Sequence, residues 1–183
     1  MNWAAKFSEG LPYSAFLDRY ASPDQRRRWD DFYQCVALDA AQKELIGSFT
    51  RQMRVIVMAG TWCGDCVNQC PMFEHFSQAC PLIDIRYFDR DANADLQNEM
   101  SICGGARVPS VVFLSEDYHV CGRYGDRTLS KYRSLVGAGA ACSTGIAIGD
   151  DLTRSVMRDW LDEFERIQWM LRTSSRLRQL HGD

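Results

Sequence analysis

Two cysteines stand three positions apart in Cys63-Gly64-Asp65-Cys66, just after a short apolar run and ahead of a helical pattern. On the first turn of a helix, thiols at this spacing can close a small disulfide ring with little backbone movement. The first thiol lies where unpaired amides and the helix dipole favour a thiolate. A thiolate is the nucleophile of thiol–disulfide exchange. The spacing therefore casts Cys63 as an exposed attacking thiol and Cys66, one turn further in, as a buried resolving thiol. Trp62 is expected to cover one side of the pair.

The elements that must hold this pair are legible on either side of it. Val55-Ile56-Val57-Met58-Ala59 is a continuous apolar run, the pattern of a strand buried on both faces. A helical stretch follows the cysteines through Ala79. Leu82 to Phe88 reads as a second strand, and Asn93 to Ile102 as a helix with Leu96 and Met100 inward. Val108 to Leu114 and Val120 to Tyr124 read as two more strands, and the turn Ser115 to His119 is short enough to join them as an antiparallel hairpin. Ahead of these, three short helices are expected. One covers Pro12 to Tyr20, and the others start at the capping patterns Ser22-Pro23-Asp24-Gln25 and Asp39-Ala40-Ala41-Gln42. Residues 137–149 are Gly/Ala-rich and read as a linker or mobile loop. A long helix over 150–180 carries the stripe Val156, Trp160, Phe164, Ile167 and Leu171, which should pack on the sheet. The expected class is α/β, ordered βαβ–α–ββ–α around a central mixed sheet. Residues 1–51 form an N-terminal helical extension, and residues 52–183 form the domain that ends in the long helix.

Composition bounds the rest. The chain has 183 residues, 46% hydrophobic and 25% charged, with a net charge of −3, which describes an ordinary globular protein and no general binder of polyanions. Neither a nucleic acid nor a membrane is an expected partner, since no apolar run approaches the length of a span. The Arg26-Arg27-Arg28 run reads as a solvated helix face, because Asp24, Asp30 and Asp31 surround it. The N-terminus has neither the basic start nor the apolar run of a signal peptide, so a reducing cytoplasm is the expected location. In that setting most of the eight cysteines, at 35, 63, 66, 70, 80, 103, 121 and 142, should be free buried thiols.

Over roughly residues 52–127 the sequence resembles the thioredoxin superfamily. It does so in Trp62-Cys63-x-x-Cys66, in Pro71 where that family's active-site helix is kinked, and in Val108-Pro109 where the family places a cis-proline opposite its cysteines. The resemblance implies a thioredoxin-like fold and a thiol–disulfide oxidoreductase that reduces protein or small-molecule disulfides. Cys63 and Cys66 would be catalytic, and Trp62, Gly64, Asp65, Val108 and Pro109 would shape the substrate groove. No bound cofactor is implied, because the electrons move through the dithiol. A thioredoxin-reductase-like protein or a low-molecular-weight thiol would renew it. The sequence is similar more closely to a bacterial thioredoxin-like subgroup with an N-terminal helical extension. The matching residues are Trp62-Cys63-Gly64-Asp65, Phe88-Asp89-Arg90-Asp91, Gly104-Gly105 and Gly122-Arg123-Tyr124-Gly125-Asp126-Arg127. Two positions depart from thioredoxins proper. Val57 stands where they carry a buried acid, which points to slow resolution of mixed disulfides. Asp65 replaces the usual proline, and its charge opposes the dipole's effect on Cys63, which argues for a reducing couple.

Other readings compete. Cys63, Cys66 and Cys70, with His75 and Cys80 nearby, could hold zinc or an iron–sulfur cluster, but no second C-x-x-C supplies a fourth ligand. Cys35, Cys70 and Cys121 read as packed core thiols, and Cys103 as a core thiol or an extra redox thiol near Cys63. His75, His119 and His181 lack metal spacing. Asp89, Arg90, Asp91, Arg123 and Arg127 read as a salt-bridge network tying the sheet edge to the hairpin, or else as a polar rim for an anionic or peptide partner. A non-catalytic binding or adaptor module on the same fold is the alternative from a different functional class.

Overall fold

Four helices, not three, precede the first strand: α1 (Trp3–Glu9), α2 (Tyr13–Tyr20), α3 (Pro23–Cys35) and α4 (Ala40–Gly47). The sequence hides α1 because it buries only Lys6 and Phe7, too little to make a recurring stripe. The caps of α3 and α4 are as expected. Ser22 Oγ accepts the Gln25 N–H at 3.3 Å while Gln25 Oε1 accepts the Ser22 N–H at 3.0 Å, and Asp39 and Gln42 repeat the exchange at 2.8 and 3.0 Å. The computed structural model describes residues 1–137 and 150–183. The Gly/Ala-rich stretch expected as a linker, with Cys142 in it, otherwise lies outside the described residues.

The later elements are β1 (Met53–Ala59), α5 (Gly64–Val67), α6 (Cys70–Ala79), β2 (Ile83–Asp89), α7 (Ala94–Glu99), β3 (Ser110–Leu114), β4 (Val120–Gly125), α8 (Leu129–Gly137), α9 (Asp150–Thr173) and α10 (Ser175–His181). The sheet order is β2-β1-β3-β4. β1 runs parallel to β2 and antiparallel to β3, and β3 and β4 form the expected hairpin. Val55 to Ala59 has no exposed surface, which is why its apolar run is unbroken.

Three boundaries differ from expectation. α7 ends at Glu99 because Ile102 and Gly105 pair across a tight turn, with Cys103 (φ 51°) and Gly104 (φ 73°) in the left-handed region. α8 carries no readable stripe, since Leu129 and Val136 both face solvent. The C-terminal helix breaks at Ser174, whose side chain accepts the Leu177 N–H at 3.4 Å and starts α10.

Two aromatic clusters hold the layers together. Tyr13 and Phe16, both packed on Trp29, meet Tyr87 of β2 and join the extension to the sheet. Phe73 and Phe76 of α6, Phe113 of β3 and Trp160 and Phe164 of α9 form the second. The whole α9 stripe is buried as expected. Each such ring contributes roughly 2–3 kcal/mol of burial. Among the described residues no helix is long and apolar enough to cross a membrane.

Candidate active site

β1 ends at Ala59 and the chain turns through Gly60 to Cys63, where the Cys63 N–H donates to the Gly60 carbonyl oxygen at 3.0 Å. Trp62 folds back over Gly60. A Cβ at position 60 would lie 2.7 Å from Trp62 Cε2, so any larger residue there would have to push the indole aside. The Arg90 guanidinium sits 4.4 Å from the Trp62 ring centroid, while Trp62 itself remains 43% exposed. Thr61 is buried and is held by the N-terminal helices. Its carbonyl accepts from Trp29 Nε1 at 3.0 Å, and its hydroxyl donates toward Gln25 Oε1 and the Tyr20 carbonyl at 3.0 and 3.2 Å.

Cys63 is the N-cap of α5, and its carbonyl accepts the Val67 N–H at 3.0 Å. Its half-buried Sγ lies 3.5 Å from the Val108 carbonyl oxygen. Cys66 is fully buried, and its Sγ accepts the Gly60 N–H at 3.4 Å. The helix then breaks at Asn68-Gln69 and restarts as α6, with Pro71 in the first turn, where a missing N–H leaves no bond unmade. Gln69 occupies the break. Its Nε2 donates to the Asp65 and Asp126 carbonyls at 3.0 and 3.1 Å, and its Oε1 accepts from Trp160 Nε1 at 2.8 Å. One buried amide thus ties the dithiol turn to the segment after β4 and to α9.

The hydrogen bond shared with Cys66 pushes the Cys63 thiol up, burial adds to this, and the Asp65 charge acts in the same direction. The Cys66 backbone amide, in the first turn of α5, pulls the other way and is outweighed. Burial also pushes the Cys66 thiol up, while its bond to Cys63 opposes the rise. Asp65 does not act as an isolated charge. Its carboxylate pairs with Arg127 at 2.8 Å, each side chain 17% exposed.

Trp62, Cys63, Gly64, Asp65 and Val108 line one groove of about 700 Å³, with Cys66 buried in the adjoining turn. The Val108–Pro109 peptide bond is cis. Pro109 places its carbonyl against Gly125 (φ 124°), where a Cβ would come within 2.3 Å of that oxygen. The same groove takes in Arg28, Arg90, Arg107, Asp126 and Arg127. Asp126 is buried, and this opposes its ionisation, but hydrogen bonds from Tyr132 and Arg107 win and hold its carboxyl below the usual range. Sequence reading missed Arg28, Gln69, Arg107 and Asp126 as parts of the site. The signals were slight: Arg28 stands in the Arg26-Arg27-Arg28 run, Asp126 in the Gly122–Arg127 segment, Gln69 three residues after Cys66 and Arg107 just ahead of Val108.

The expected network of Asp89, Arg90, Asp91, Arg123 and Arg127 does not form as one unit. Arg90 pairs with Asp91, and the Asp89 side chain accepts the Asp91 and Ala92 N–H groups. Arg123, on β4, reaches Glu99 at the end of α7, whereas Arg127 lies past the strand end and turns to Asp65. The cysteines also differ in part. Cys66, Cys70 and Cys80 are buried, but Cys121 is only partly covered, on an edge strand. Cys35 is exposed, since at the end of α3 it falls off the face carrying Trp29 and Phe32. Cys103 lies exposed on the turn after α7. All seven described cysteines are free thiols. His75 stacks on Tyr33 at 4.2 Å, and His119 and His181 sit beside Asp117 and Glu116. Among the described residues no three His, Cys, Asp or Glu side chains are grouped to hold a metal ion.

A parallel strand pair with an intervening helix, a following hairpin and a dithiol at the first strand–helix junction define a thioredoxin-like fold. The family model described as thioredoxin matches residues 10–135, and the chain belongs to that family. A search of curated proteins found no match. Among solved structures the chain is similar to a protein of unknown function, PA1234, from Pseudomonas aeruginosa, at 18% identity and a TM-score of 0.69, covering 89% of this chain and 99% of that one. It is also similar to an HIV epitope-scaffold at 19% identity and a TM-score of 0.65, covering 87% of this chain and 98% of that one. These likenesses show the fold.

Proposed function

We propose that the protein is a thiol–disulfide oxidoreductase that reduces disulfides through Cys63 and Cys66. The observation that carries this reading is the placement of one thiol at a helix N-cap in an open groove, with a second buried one turn behind it. The Cys63 thiolate attacks one sulfur of a substrate disulfide, forms a mixed disulfide and expels the other sulfur as a thiolate that takes up a proton. Cys66, deprotonated, then attacks Cys63 Sγ. The Cys63–Cys66 disulfide forms, the second substrate sulfur leaves as a thiol, and two electrons have passed from protein to substrate. A thioredoxin-reductase-like protein or a low-molecular-weight thiol returns the pair to the dithiol. The bond to Cys66, burial and the Asp65 charge all disfavour the Cys63 thiolate, so the attacking form is a minority species, and a disfavoured thiolate supports a reducing couple suited to a reducing cytoplasm. Trp62, Gly64, Asp65 and Val108 line the groove, and Pro109 would shape it as the residue next to Val108. The motif Trp62-Cys63-Gly64-Asp65 supports placing the chain in the bacterial thioredoxin-like subgroup, with residues 1–51 as an extension of the domain at 52–183.

The test is a redox titration read by alkylation mass shift, with peptide mapping of the modified cysteines. A reversible two-electron couple confined to Cys63 and Cys66 is expected. Absence of that disulfide at every potential would overturn the reading and leave a binding module on the same fold.

A further inference from the structure

The groove beside Cys63 is ringed by arginines from four separate parts of the chain. Arg28 comes from α3, Arg90 from the segment after β2, Arg107 from the loop before β3, and Arg127 from the segment after β4. Only Asp65 and Asp126 among the groove residues carry negative charge, so the lining holds four cations against two anions. Both carboxylates are already engaged within the fold, Asp65 by Arg127 and Asp126 by Arg107 and Tyr132. Arg28 is exposed, and among the described residues no carboxylate pairs with it. Its neighbour Trp29 bonds the loop leading to Cys63, which anchors the backbone of α3 at this point.

We infer that this groove selects peptide disulfides whose cysteine is flanked by acidic residues. The inference rests on Cys63 being the thiol that meets substrate. Arg28 has no carboxylate partner among the described residues and Arg90 has only one outside the groove lining, so the lining keeps an excess of positive charge on the groove that holds Cys63, which matches carboxylates close to the reacting cysteine. Asp91, which pairs with Arg90, is itself exposed and offers a bond that an incoming carboxylate can replace. Opposed charges at a groove rim act chiefly on encounter and on discrimination between partners, and they weaken with salt.

The experiment uses two short labelled peptides with serine in place of the reacting cysteine, flanked by glutamates in one and lysines in the other. Binding to the reduced full-length protein is followed by fluorescence anisotropy. The expected result is about tenfold tighter binding of the glutamate peptide at low salt, a few exposed pairs together, with the gap closing as salt rises. Arg28→Glu should cut that ratio several-fold, and Arg28→Lys should keep most of it. Equal binding of the two peptides, binding of neither, or a preference for lysine overturns the inference. Because the readout needs no electron transfer, a failed redox titration with an intact charge preference would remove the oxidoreductase and leave the acidic-peptide groove.

Discussion

Trp29 Nε1 donates to the Thr61 carbonyl oxygen at 3.0 Å, joining a helix of the N-terminal extension to the loop two residues ahead of Cys63. The indole has no exposed surface and also packs against Tyr13 and Phe16. The extension is therefore part of the wall that positions Cys63.

Trp29→Phe keeps most of the ring volume and deletes the donor. With Thr61 buried, the orphaned carbonyl should cost about 1–3 kcal/mol, read as a lower denaturant midpoint. Disulfide reduction should slow as well, because the Gly60–Trp62 loop loses its anchor. An unchanged midpoint would show that the loop is held without this bond.

Gln69 serves three partners on three segments. Gln69→Leu leaves the Asp65 and Asp126 carbonyls and the Trp160 N–H without it, and should lower stability by about 2–4 kcal/mol. Gln69→Glu, which cannot donate to either carbonyl, should be similarly destabilised in urea unfolding.

The Asp65 charge helps to keep the Cys63 thiol up, and Arg127 partly offsets it. Asp65→Asn should raise the rate of Cys63 alkylation at neutral pH several-fold and make the couple more oxidising. Arg127→Ala should shift both in the opposite direction. Alkylation over a pH series with mass mapping separates Cys63 from the other thiols.

Arg176 binds Asp117 and holds its carboxyl down at about 2, against 3.8 for an ordinary aspartate. A carboxyl whose pKa is depressed by folding contributes stability above the unfolded value and loses it as pH falls through the folded one. The contact between α10 and the β3–β4 turn should therefore weaken between about pH 4 and about pH 2. Arg176→Gln should flatten the thermal midpoint across that window, the more visibly at low salt because the pair is partly exposed.

Much of this arrangement is legible in the sequence because its signals are local. The Ser22–Gln25 and Asp39–Gln42 caps, the unbroken run of β1 and the α9 stripe each follow from neighbouring residues. The dithiol at a strand–helix junction is legible for the same reason. What escapes is long-range. Gln69 looks like a surface amide until Asp126 and Trp160 arrive from 57 and 91 residues away. Arg28 hides in a run of three arginines, two of which pair with Asp18, Asp24 and Asp30 as solvated helix charges do. α1 and α8 escape because a helix that buries few side chains prints no period.

Leu11 exchanges both main-chain hydrogen bonds with Tyr87, at 3.1 and 2.7 Å, along the outer side of β2. An open strand edge is a template on which a second chain can add itself, and natural sheets blunt such edges. Here the connection between α1 and α2 supplies the blunting. A chain shortened past Leu11 would bare the Tyr87 amide and carbonyl at the sheet margin, and its hazard would be self-association through β2.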